Sequence, residues 1–165
     1  MTDSIQKLID ALRIELQEYG EMLALLDRQQ QMVIERAAGE VFQSIALIQS
    51  QGVAVRDART LRVACSREVA ASVGLAGEPE FTVLIPRLPA DYRPLVKALV
   101  DENNELLVRV QQRARQNHLL LNRSIELMQG LINSLLPAAE THVYNGHGAM
   151  DKHAGTSRLL HNALG

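Results

Sequence analysis

The chain has 165 residues and fits a single domain. Hydrophobic residues make up 47% of it but aromatic residues only 3%, which favours a helical bundle over an enzyme built around a pocket. The formal net charge of −2 argues against a general binder of nucleic acid or anionic membranes. Because no apolar run approaches the roughly 18 residues that span a bilayer and the N-terminus lacks a secretory signal pattern, we expect a cytoplasmic protein that is not embedded in a membrane.

The clearest predicted helix runs from residue 3 to about residue 37. Its apolar residues recur at two heptad positions: Ile5, Leu12, Tyr19, Leu26 and Val33 at one, and Ile9, Leu16, Leu23 and Ala37 at the other. Gln30 is the one clearly polar exception. Five heptads of this kind predict a long coiled-coil-like helix that needs a packing partner.

A second helix is predicted over residues 40–73, with the break at Gly39 and a C-terminal stop at Gly74. Residues 1–40 carry eight acidic and four basic side chains, whereas residues 41–73 carry four arginines against two acids. Opposite net charges on consecutive helices suit an antiparallel hairpin. Solvated faces without any pairing explain the same charges equally well, since exposed ion pairs contribute little.

The connection between Gly74 and Pro89 contains too many Gly and Pro residues for a long element. Within it, residues 80–85 could form a short helix or a short strand. We favour the helix, because a strand would have no partner in the rest of the chain. Its apolar side chains are expected to cap one end of the bundle.

A third long helix is predicted over residues 91–136, with Asp91 as N-cap and Pro94 in the first turn. Its apolar residues recur in three- and four-residue steps and form a face wider than one partner helix would cover. We therefore expect two partners, the N-terminal helices and another protein. Asn103 and Asn117 interrupt the apolar stripe. Either they fix the register of the packing, or Asn117 marks the point where the helix leaves the bundle.

The predicted fold is all-α. It is an elongated antiparallel bundle or coiled coil of three long helices over residues 1–137, with a short helix in the 74–90 connection. Residues 138–165 are expected to form a mobile C-terminal tail, because they are rich in Gly and His and lack periodicity. The single cysteine, Cys65, is expected to be buried or idle.

Motifs for catalysis or cofactor binding are absent from the sequence, so neither an enzyme nor a cofactor is expected. Four tail histidines, His142, His147, His153 and His161, are spaced so that no two share one helical turn, and we predict no metal site. Tyr144 is a lone aromatic residue among small ones and is a candidate anchor for docking on another protein. Alternatively, it folds back on the bundle or has no role.

Four short motifs follow one another between residues 101 and 148. They are Glu102-Asn103-Asn104-Glu105-Leu106-Leu107, Asn117-His118-Leu119-Leu120-Leu121, Leu135-Leu136-Pro137 and Tyr144-Asn145-Gly146-His147-Gly148. In their order and spacing they resemble the FlgN-type flagellar export chaperones. Asn145 differs from the glycine that is more usual after the tyrosine.

This resemblance implies a cytoplasmic chaperone of the flagellar type III export system. It implies that the clients are the hook–filament junction proteins, whose C-terminal helices would be held and delivered to a membrane protein, the export gate. By the same resemblance, the last helix would carry the client surface and Tyr144 would dock on the gate.

The residues themselves are consistent with a client helix that binds to this last helix through anchors at three- and four-residue spacing. The predicted client-binding residues are Leu106, Val110, Asn117, Leu120, Leu121, Ile125, Met128, Leu131, Ile132 and Leu135. The main alternative is a structural coiled-coil protein that homo-oligomerises through the same face, for example as a homodimer. A third is a regulatory or phosphorelay module that uses His118, the histidine within the predicted helices.

Overall fold

The computed structural model describes residues 1–135, and every regular element in that range is helical. The elements are α1 (Thr2–Ile34), α2 (Ala38–Ser72), α3 (Phe81–Leu84), which a 3-10 turn (Ile85–Arg87) follows, and α4 (Arg93–Leu135). The all-α prediction is therefore confirmed for these residues, and the predicted tail lies outside them. The chain divides into two compact units, Met1–Glu126 and Leu127–Gly165. The second unit is described only over residues 127–135, the last turns of α4.

Helices α1 and α2 form an antiparallel hairpin. Near its turn, the Gln29 side-chain amide donates to the Ser44 hydroxyl over 3.1 Å. At the opposite end, the Ser4 hydroxyl donates to the Glu68 carboxylate over 3.0 Å. The residue numbers rise along one helix as they fall along the other, which confirms the expected hairpin.

The hairpin turn lies before Gly39, not at it, so the predicted break is wrong by a few residues. Helix α1 ends in a Schellman motif, in which the Ala37 N–H donates to the Met32 carbonyl and the Arg36 N–H to the Val33 carbonyl. Arg36 occupies the left-handed position of this motif, with a φ of 59°. Gly39 then belongs to the first turn of α2.

Helix α2 also ends in a Schellman motif, and its left-handed position is Gly74, the residue that was predicted to stop the helix. Gly74 has a φ of 76°, and the Leu75 N–H donates to the Ala70 carbonyl over 2.9 Å. Helix α4 begins at Arg93, so Asp91 precedes the N-cap position and is not the N-cap, while Pro94 does lie in the first turn.

The main hydrophobic core joins the hairpin to the connection and to the start of α4. Its buried residues are Ile5, Leu8, Ile9, Ala11, Leu12, Cys65, Val69, Ala70, Leu84, Leu88, Val96 and Leu99. Leu84 and Leu88 belong to the connection, whose apolar side chains therefore pack against the helices as expected. Cys65 is buried and free, and its burial raises the pKa of the thiol.

Within residues 1–135, no helix offers a stretch that is both long enough and apolar enough to cross a membrane.

Candidate docking surface on the last helix

Two asparagines determine how α4 lies on α1. The Asn103 side-chain amide donates to the Leu12 carbonyl over 3.0 Å, and the Asn117 amide donates to the Leu26 carbonyl over 2.7 Å. Both pairs are separated by 91 positions in the sequence. Helix α4 therefore runs parallel to α1 and keeps one register between these two levels.

These side chains are buried, but their hydrogen bonding is incomplete. Asn103 is 6% exposed and Asn117 only 2%, and the Oδ1 atom of each has no hydrogen-bond partner. A buried acceptor without a partner costs free energy. The two asparagines therefore fix the register at the expense of stability, as polar residues in coiled-coil seams do.

A buried polar chain at the level of Asn117 ties three helices together. Asn117 donates to the Gln29 side-chain carbonyl over 3.1 Å, and Gln29 in turn donates to Ser44 of α2. One turn earlier on α4, the Arg113 guanidinium lies 2.6 Å from the Asp27 carboxylate of α1. This part of α4 is thus held firmly on the hairpin.

Asn117 is the last fully buried residue of α4 among those that the structure describes. Leu120 and Leu121 are half-buried, and residues 122–134 are all exposed. In the first unit, Ile125 is 53% exposed. In the second unit, four large apolar side chains of α4 are between 54% and 63% exposed: Leu127, Met128, Leu131 and Ile132. Such a concentration of exposed apolar side chains is unusual for a soluble surface and is typical of an interaction site.

The structure divides the predicted client-binding residues into three groups. Ile125, Met128, Leu131 and Ile132 are exposed, whereas Leu106, Val110, Leu120 and Leu121 are half-buried. Asn117 is engaged in the packing against α1, and the side chain of Leu135 lies outside the description. Tyr144, the predicted gate-docking residue, also lies outside the described residues.

Two exposed leucines in the C-terminal half of α4 were not in the predicted set. Leu119 and Leu127 lie beside the apolar stripe and are 67% and 63% exposed. For Leu119, the sequence did contain a signal, the run of three leucines at 119–121. Consecutive residues on a helix point in different directions, so three leucines in a row cannot all lie on one packed face.

A groove of about 660 Å³ lies in the first unit between α1, α2, the connection and the start of α4. Its least exposed charged side chains, Glu15 and Arg62, pair with each other. The Arg62 guanidinium lies 2.7 Å from the Glu15 carboxylate, and Tyr19 donates to the other oxygen of that carboxylate. Arg62 also lies over the ring of Phe81. Burial and then the Glu15 charge raise the pKa of Tyr19 to about 12, so its phenol stays a donor. This cluster joins the helices and has no nucleophile beside a base.

Metal and phosphorelay chemistry receive no support from the part of the chain that the structure covers. No group of three His, Cys, Asp or Glu side chains within residues 1–135 could hold a metal ion, and the tail histidines lie outside this range. His118 is exposed on α4 and its ring contacts the Asn122 amide at 3.1 Å.

Comparison with known protein families identifies a relationship. A family model described as FlgN protein matches residues 1–152 of the chain. Neither the curated proteins nor the solved structures contain a significant match.

Proposed function

The chain belongs to the FlgN family of flagellar export chaperones, and from this premise we propose that it binds the C-terminal amphipathic helices of the hook–filament junction proteins. By covering these helices in the cytoplasm it prevents their premature assembly, and it delivers the clients to the flagellar export gate. The activity is protein binding, without a catalytic step or a cofactor.

The loss of burial past Asn117 is the observation that supports this proposal. Up to that residue, the apolar stripe of α4 packs on α1. Beyond it, the stripe continues in the sequence at Ile125, Met128, Leu131 and Ile132, and these side chains are exposed. We assign client binding to them, with Leu120 and Leu121 at the border. Asn117 then limits the surface and does not contact the client.

The energetics fit a complex that forms and then releases its client. Burying one Leu, Ile or Met side chain contributes about 1.5–3 kcal/mol. Four such anchors contribute about 6–12 kcal/mol in total, which is of the same size as an association cost of roughly 4–15 kcal/mol, so the complex is weak enough to dissociate. Release at the gate therefore requires no nucleotide-driven step.

The same exposed side chains would also suit a second copy of this chain, as in a structural coiled-coil protein. The two functions differ in what covers the surface. A chaperone gives up any self-association when the client binds, whereas a structural protein keeps it.

Gate docking is assigned to Tyr144, which follows α4 at a distance of nine residues in the sequence. A lone aromatic side chain can anchor a short segment in a pocket of a partner. Because Tyr144 is not among the residues assigned to client binding, the two contacts use different side chains, and the loaded chaperone can still dock.

Co-expression with the junction proteins, followed by size-exclusion chromatography with light scattering, tests the proposal. We expect a co-eluting species of one chaperone and one client. Junction proteins truncated before their C-terminal helices are the control and should elute separately. Failure of the intact junction proteins to co-elute, together with a homo-oligomer that persists in their presence, would support the structural alternative.

A further inference from the structure

The middle of α4 is basic, although the chain as a whole is acidic. Residues 106–126 contain four arginines and a single acidic residue, Glu126, for a net charge of +3. The formal net charge of the whole chain is −2. The positive charge is thus concentrated on the helix that carries the exposed apolar side chains.

One of the four arginines is used inside the first unit. Arg113 pairs with Asp27 and donates to Gln30 of α1. Arg109, Arg115 and Arg123 are exposed, and the ion pairs found among residues 1–135 include none of them. Within the described residues, these three guanidinium groups therefore have no ion-pair partner.

The three arginines lie on two different sides of α4. Arg109 and Arg123 are two heptads apart and lie on the same side of α4. Arg123 is the i+4 neighbour of Leu119 and the i+3 neighbour of Leu120, so it borders the apolar side chains. Arg115 precedes the buried Asn117 by two residues, which places it on the side of the helix that faces away from α1.

We propose that Arg109 and Arg123 select the client by charge. The preferred occupant is an amphipathic helix that covers the exposed apolar side chains past Asn117 with Asp or Glu side chains next to Arg123, and that continues along the solvent side of α4 so that a further carboxylate lies next to Arg109. The inference rests on the proposed chaperone function and adds the chemical class of the segment that is bound. Charges at the border of an interface act mainly on the association rate and on the choice of partner.

A basic amphipathic helix also suits an anionic membrane surface. Here the remainder of the chain carries a net charge of −5, and an acidic body is repelled by an extended anionic surface. A short acidic segment beside Arg109 and Arg123 covers only a small area, so it meets less of that negative charge than an extended membrane surface does. The charge distribution therefore favours a peptide over a membrane.

Two designed amphipathic peptides with identical leucine positions test the proposal, one with Glu and one with Lys beside the leucines. Binding is measured to the wild-type chain, to the Arg109→Glu/Arg123→Glu variant and to Arg115→Glu as a matched control. We expect the wild type to prefer the Glu peptide. The double variant should lose roughly tenfold in affinity for it at low ionic strength, mostly through slower association. Arg115→Glu should bind it like the wild type.

Equal binding of both peptides, or an equal loss in Arg115→Glu, would overturn the proposal. So would binding to vesicles of anionic phospholipid that is lost in the double variant. The C-terminal segment of a junction protein is measured in parallel. If it binds independently of salt and of both arginines, the charge selection fails and the chaperone function stands. If it does not bind at all while the Glu peptide does, the assigned clients are wrong and the charge selection stands.

Discussion

Asn103 and Asn117 lie two heptads apart on α4 and make the same contact, a side-chain amide donated to a main-chain carbonyl of α1. Each leaves its Oδ1 atom buried without a partner. A seam of leucines alone would be more stable but would allow α4 to slip along α1. Slippage would change which side chains of α4 are covered by α1, so the register defines the docking surface.

Replacing Asn103 with leucine, which branches in the same way, should stabilise the first unit. The change loses the two hydrogen bonds that the amide donates to the Leu12 and Leu99 carbonyls, but both carbonyls still accept main-chain bonds within their helices. It also removes a buried acceptor without a partner and adds apolar contact, so we expect the free energy of unfolding to rise by about 1 kcal/mol. Urea denaturation measures the effect. Asn104→Leu is the control at an exposed neighbour, where a change within about 0.5 kcal/mol is expected. A less stable Asn103→Leu protein would show that this amide is a net stabilising group.

Arg36 and Gly74 occupy the same position in two helix-ending motifs and give opposite predictions. Both have a positive φ, which costs a residue with a Cβ atom roughly 1–2 kcal/mol relative to glycine. We expect Arg36→Gly to stabilise the hairpin and Gly74→Ala to destabilise it, each by about 1 kcal/mol in thermal or urea unfolding. Shifts of the same sign in both variants would contradict this explanation.

The raised pKa of Tyr19 predicts a loss of folding stability at alkaline pH. Its pKa is raised from 10.0 to about 12 by burial and by the Glu15 carboxylate, so the folded chain holds the phenolic proton more tightly than the unfolded chain. The contribution of Tyr19 is therefore complete below pH 10.0 and is lost as the pH rises towards 12. Urea unfolding at several pH values should show a smaller alkaline loss in Tyr19→Phe than in the wild type. Identical pH profiles would contradict the assignment.

The fold was largely predictable because heptad spacing reports packing faces directly. Six buried residues of α1, including Ile5, Leu12 and Leu26, follow from that spacing. The burial of Leu8, Ala11, Glu15, Met22 and Gln29 does not, because α1 packs against both α2 and α4. The turn at Arg36 was not predictable, since the left-handed position of such a motif is expected to be glycine and Gly39 was close by. On α4, Asn117 interrupts the stripe, and one of its two interpretations placed the end of the packing there. Because apolar residues continue past Asn117 in the sequence, choosing between the two required the exposure of residues 122–134 in the structure.

Substitution of Tyr144 tests whether client binding and gate docking use different residues of the chain. Tyr144→Ala removes a proposed aromatic anchor outside the client surface, so affinity for the client should be unchanged. Binding to the cytoplasmic domain of the export gate should fall by roughly tenfold or more. Surface plasmon resonance against each partner measures both, with Tyr144→Phe as the control that keeps the ring. An equal loss of affinity for both partners would contradict the separation.

The excess apolar surface of α4 can be tested by removing it and measuring binding of the junction-protein C-terminal segment by calorimetry. The variant changes Ile125, Met128 and Leu131 to serine, and circular dichroism checks that it stays helical. The matched control changes Leu47, Val53 and Leu61 of α2, which are 45% to 55% exposed, to serine. We predict a loss of roughly hundredfold or more for the α4 variant and wild-type affinity for the α2 variant. Wild-type affinity in a helical α4 variant would contradict the assignment of client binding to this surface.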